Sequence, residues 1–141
     1  MFYQGKSIPI FVQESVFLKA FSQFKRKKYA RGKQIIVEGL LQPSPSSKAF
    51  RIKIDYEFRL RPTITLPDED FSEKRPPHTF LDGGLCLYHK DGEGAWTSKK
   101  FMTDLVPMIS HWLLCYELWQ VTDKWFGDEY PHDLLEPKVA S

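Results

Sequence analysis

One cysteine stands out by its neighbours. Cys86 closes the run Pro76-Pro77-His78-Thr79-Phe80-Leu81-Asp82-Gly83-Gly84-Leu85-Cys86-Leu87-Tyr88, and Trp96-Thr97-Ser98 follows downstream. Prolines fix the chain direction and glycines permit a tight turn, so the thiol is expected on a shaped loop rather than in a core. The chain has only two cysteines, which makes Cys86 the candidate nucleophile. A thiolate exchanges acyl groups with other thioesters at little cost, because both partners are thiols. Passing the acyl group to an amine asks for more: an oxyanion must be held while the amine attacks. One well-aimed donor to that oxygen is worth about 3 kcal/mol. His78, eight residues before the cysteine, is the best placed polar side chain for the task. Without an acyl group on Cys86, little else in the sequence looks catalytic.

The other chemical residues carry weaker signals. Asp82, Asp91 and Glu93 could take a proton from an incoming amine, although acidic loop residues are ordinarily just solvated. Cys115 falls on an apolar helical stripe, where a thiol behaves as a small hydrophobe. His89, His111 and Cys115 lack the paired spacings of a metal site, so neither a metal nor a cofactor is expected. Trp96 is expected as a packing anchor beneath the loop.

These residues need a scaffold, and the sequence outlines one. Val12, Val16, Phe17, Ala20, Phe21 and Phe24 recur at helical spacing and predict a helix over 10–28. Its last turns would carry Lys25-Arg26-Lys27-Lys28, where positive charge suits the helix dipole, or where an acidic partner would dock. Gln34 to Leu41 is a β-branched run and the first expected strand. From Phe50 to Arg61, apolar and polar residues alternate without a fault, predicting a strand with one buried and one wet face. Thr63 to Leu66 adds a short strand, and Pro67 opens a long loop reaching about Ser98. Such a loop in a compact domain usually has a function. A second helix follows, with Ile109, Trp112, Leu113, Tyr116 and Trp119 on one face, widened by Leu114, Leu118 and Val121. Pro107 suits its first turn. The expected fold is α+β: an N-terminal helix, an antiparallel meander, a long loop bearing the cysteine, and one main C-terminal helix.

Length and composition bound the rest. At 141 residues, 42% hydrophobic and 15% aromatic, the chain suits a single domain over 1–141 with a core over about 10–126 and a loose tail over 127–141. A net charge of +2 gives no general field for nucleic acid. No apolar run is long enough to span a bilayer, and the N-terminus is unlike a secretory signal. Two cysteines make no disulfide framework, so a reducing cytoplasm is the expected compartment.

The cysteine segment resembles the active-site region of ubiquitin-conjugating enzymes. In that family a His-Pro-Asn motif precedes the cysteine, a glycine lies three residues before it, a leucine follows it, and Trp-Ser-Pro comes later. Gly83, Cys86 and Leu87 match, Trp96-Thr97-Ser98 is similar to the later motif, and Pro77 matches the motif proline. His78 takes the asparagine place and Pro76 replaces the motif histidine. The spacing from Cys86 to Trp96 is longer than usual, with Asp91-Gly92-Glu93-Gly94 as an insertion, and the extra C-terminal helices of eukaryotic members are expected to be missing. The resemblance covers about residues 10–122. Asp82-Gly83-Gly84-Leu85-Cys86-Leu87-Tyr88 and Trp112-Leu113-Leu114-Cys115-Tyr116-Glu117-Leu118-Trp119 more closely resemble a bacterial branch. Those relatives are encoded in anti-phage operons beside a cGAS-like nucleotidyltransferase. The resemblance implies a thioester between Cys86 and the C-terminal tail of that nucleotidyltransferase, then transfer to an acceptor protein or amine, with His78 assisting. A non-catalytic adaptor of the same fold, binding the nucleotidyltransferase or a ubiquitin-like tail, and a redox thiol protein are the alternatives.

Overall fold

The computed structural model describes residues 6–87 and 95–127. Helix α1 spans Ile10–Ala20, and four strands follow: β1 Phe24–Ala30, β2 Gln34–Leu41, β3 Phe50–Glu57 and β4 Thr63–Thr65. After the long loop, a 3-10 turn at Met102–Asp104 leads into helix α2, Leu105–Thr122. The strands lie side by side in chain order, each antiparallel to the next. This is the expected α+β layout.

Alternation fixes the sheet's register. Val37 pairs with Ile54, and Ile54 with Ile64, so one inner row crosses three strands. Ile35, Val37, Ile52, Ile54, Tyr56 and Ile64 are all fully buried. Each such side chain contributes about 1.5–3 kcal/mol of transfer free energy. The core they form includes Ile109, Trp112, Leu113 and Tyr116 of α2. Pro107 lies in the first turn of α2, as expected.

Several expectations about the elements are corrected. The first helix stops at Ala20, and the basic run Lys25 to Lys28 belongs to β1 at the sheet edge. Phe17, Phe21 and Phe24 do cluster, with ring centroids 5.4 and 5.0 Å from Phe17, but Phe24 arrives from the strand. All four basic residues are exposed, so β1 lacks the alternation that would announce a strand. Gly32, at φ 74°, serves the β1–β2 turn rather than a helix end. The buried face of α1 is Ile10, Gln13 and Phe17, while Val16 and Ala20 are exposed. Strand β3 ends at Glu57, because the chain turns at Arg59 with φ 69°. On α2, Leu114, Leu118 and Val121 are exposed and do not widen the buried face.

Buried Gln13 holds the two ends of the fold together. Its amide donates to the carbonyl of Lys100 at 2.8 Å and accepts from the Met102 N–H at 2.8 Å. A buried amide must be satisfied in this way, and here it fixes the approach to α2. Among the described residues no helix is long and apolar enough to cross a membrane. The insertion Asp91 to Gly94, His89 and the tail over 128–141 lie outside the described residues.

Candidate active site

The run from His78 to Cys86 folds into a small hairpin. The Gly83 N–H donates to the Phe80 carbonyl at 2.9 Å, and the Phe80 N–H donates to the Gly84 carbonyl at 2.8 Å. Thr79 and Leu85 pair across it, and the Cys86 N–H donates to the His78 carbonyl at 2.9 Å. The turn needs a residue at positive φ after Asp82, and Gly83 takes it at 89° without strain. Asp82 accepts the Gly84 N–H through Oδ1 at 2.8 Å, so its carboxylate serves the turn. Exposed Leu81 forms the tip.

The hairpin is docked on the last strand. The Leu85 N–H donates to the Ile64 carbonyl at 2.8 Å, and Leu85 and Leu87 are both buried. Cys86, between two anchored leucines, is half-buried. Arg61 stacks its guanidinium 3.8 Å from the Phe80 ring centroid. Thr79 Oγ1 donates to the Pro76 carbonyl at 3.0 Å, a brace that needs no imidazole at position 76.

His78 is the pivot. It adopts φ 58°, a left-handed conformation that histidine visits more readily than bulky residues do. Its carbonyl accepts from both the Cys86 N–H and the Trp112 indole N–H, the latter at 3.1 Å. Trp112 therefore does more than pack: its polar edge ties the loop to α2. The His78 ring lies 5.4 Å from the Trp125 ring, and Trp125 lies 5.3 Å from Trp112.

A cavity of about 400 Å³ opens beside this pair. His78, Cys86 and Leu87 form one wall, α2 supplies Pro107, Met108, His111, Trp112 and Cys115, and Trp125 to Gly127 form the third side. The described lining holds no carboxylate, lysine or arginine. The cavity is thus mainly apolar and aromatic, with two thiols and two imidazoles as its chemical groups.

The structure brings together His78 and Cys86, the two candidate site residues of the sequence. It places Trp96 against the core, edge-on to Tyr56 at 5.6 Å, in keeping with a packing anchor. Cys115 is buried, as expected, yet its sulfur also faces this cavity, 3.7 Å from His111 Nε2. Among the described residues no group of three or more His, Cys, Asp or Glu converges as metal ligands. Sequence reasoning, which has Trp125-Phe126-Gly127 closing the packed part, missed the contact of Trp125 with His78 and the polar duty of Trp112. Only the density of tryptophans near the end of the chain hinted at either.

The helix, the antiparallel meander, the cysteine hairpin on its last strand and the helix behind it make an E2-like fold, that of the ubiquitin-conjugating enzymes. The family described as Type II CBASS E2 protein matches residues 13–133, and the chain belongs to it. It is a bacterial E2-like protein of the CBASS anti-phage operons. No curated protein matches the chain.

Proposed function

We propose that the protein is a cysteine-dependent conjugating enzyme of anti-phage defence. It carries the C-terminus of a protein partner, a cGAS-like nucleotidyltransferase, as a thioester on Cys86 and passes it to an acceptor amine. The observation behind this reading is the hairpin that holds Cys86 and His78 on paired flanks beside one cavity, in a chain of this family.

The chemistry balances in two steps. The Cys86 sulfur attacks an acyl group activated elsewhere, as a thioester or an acyl adenylate; a C–S bond forms and the thiol or adenylate leaves. An amine then attacks the carbonyl carbon, the C–N bond forms, the C–S bond breaks to release Cys86 as thiolate, and the amine's proton passes to solvent. During that attack the carbonyl oxygen bears negative charge, and the His78 N–H is the donor that meets it. His78 stands on the cavity wall beside Cys86, where its ring N–H can meet that oxygen.

The test is an adduct assay with the operon's nucleotidyltransferase and its activating machinery. Wild type gives a band on a non-reducing gel that thiol reagent removes; Cys86→Ser gives a reagent-resistant oxyester or nothing. Cys86→Ala gives no adduct and no defence. Full defence from Cys86→Ala would show an adaptor instead. His78→Ala slows transfer about 100-fold or more yet spares thioester formation, as loss of an oxyanion donor requires. Equal loss of both steps would mean that the loop had collapsed.

A further inference from the structure

The chain leaving α2 turns back onto the site. Asp123 takes φ 64° and donates its N–H to the Trp119 carbonyl at 2.8 Å, a left-handed helix end. Thr122 Oγ1 accepts the Lys124 N–H at 3.1 Å and donates to the Leu118 carbonyl at 2.8 Å. Asp123 also pairs with Lys74 of the long loop, whose ammonium lies 4.8 Å from the Trp119 ring. The turn is therefore held on both sides.

What it delivers is Trp125. This indole sits between Trp112, at 5.3 Å, and the His78 ring, at 5.4 Å. Two residues on, Gly127 lies so close to α2 that an added Cβ would stand 2.6 Å from Cys115 Sγ and 3.3 Å from His111 Nε2. Only glycine seats the segment there. The backbone of His78 is fixed by its two carbonyl bonds, but those bonds leave the imidazole free to rotate about Cα–Cβ. Trp125 is the aromatic surface, among the described residues, that the imidazole rests on.

We propose that Trp125 is a positioning residue for acyl transfer: braced by Trp112, it holds the His78 imidazole toward the group carried on Cys86, and Gly127 seats it. This rests on reading His78 as the oxyanion donor. The segment after α2 is then a working part of the site rather than a trailing end. Its effect falls mainly on the transfer step, because acyl exchange between thiols needs less help with the oxyanion than attack by an amine does.

The experiment measures loading and single-turnover transfer separately, with the full chain, the partner acyl donor and a small amine such as free lysine as acceptor. Trp125→Ala is expected to slow transfer about 10- to 100-fold while loading stays within about threefold. Trp125→Phe, which keeps an aromatic surface, restores most of the rate. In Trp125→Ala/His78→Ala the losses do not multiply, since the tryptophan acts through the histidine. Gly127→Ala, whose Cβ would meet Cys115 Sγ and displace the segment, reproduces a milder form of the Trp125→Ala defect, and a cooperative melt of each variant guards against one that fails to fold. Multiplicative losses, or a Trp125→Ala enzyme with normal transfer beside a slow His78→Ala, overturn the proposal while leaving the histidine's role standing. Absence of any slowing in His78→Ala overturns both.

Discussion

Cys86 and Cys115 face one cavity from two regions built in different ways. Cys115 belongs to α2, where burial follows a helical stripe shared by several large side chains. Cys86 belongs to the hairpin, where position follows from a few single backbone bonds to His78, Ile64 and the Phe80–Gly84 turn. The first region is redundant: losing one contact lowers stability and leaves the geometry. The second is specific: losing one contact moves the sulfur and hardly changes the melting temperature. The thiol proposed to meet another protein's chain end is in the second region, and the first suits a thiol that fills space.

The largest effect is expected from the redundant region. Ile54→Asp places a carboxylate at the middle of the inner row, between Val37 and Ile64. Burying it unpaired costs several kcal/mol, comparable to the whole stability of a small domain of about 5–15 kcal/mol. The variant should be unfolded by circular dichroism at room temperature. A cooperative melt near that of wild type would mean that the register described for β3 is wrong.

Next comes the contrast between the thiols themselves. Cys115→Ala removes one buried sulfur, at a cost of about 1 kcal/mol for a small cavity. It should lower the melting temperature by a few degrees and leave the Cys86 adduct on the gel. Cys86→Ala should do the opposite, keeping the melt and losing the adduct. If Cys115→Ala lost the adduct while remaining folded, the two regions would share the chemistry.

The two regions also differed in how legible they were. Strand β3 and the buried face of α2 could be read because alternation and helical periodicity repeat a rule over many residues, and β2 because its run is β-branched and apolar. Strand β1 could not, since Lys25 to Lys28 are exposed throughout and carry no period. Periodicity also misjudged α1, where the polar Gln13 is buried to hold the entrance of α2 and the apolar Val16 is not. In the site, Cys86 and Gly83 could be located from spacing, because a tight turn demands glycine at a particular place. The meeting of His78 with Trp112 and Trp125 joins residues far apart in the chain, and no local pattern encodes it.

The smallest effect lies where the two regions touch. The Tyr116 hydroxyl of α2 donates to Glu69 Oε1 of the long loop at 2.7 Å, and Glu69 also accepts from Lys48 at 2.9 Å. Burial pushes the Tyr116 phenol well above its ordinary 10.0, and the Glu69 hydrogen bond and charge push it further the same way. A phenol raised on folding stabilises the protein fully below its unfolded value and loses that contribution as pH climbs toward the folded one. Stability should therefore fall above pH 10.0, with Tyr56, also raised by burial, adding to the slope. Tyr116→Phe loses one hydrogen bond, about 1 kcal/mol at neutral pH, because Glu69 keeps its lysine. It also loses a titrating group, so its urea midpoint should decline less steeply than that of wild type on the alkaline side. Parallel declines would mean that the phenol is not held between helix and loop.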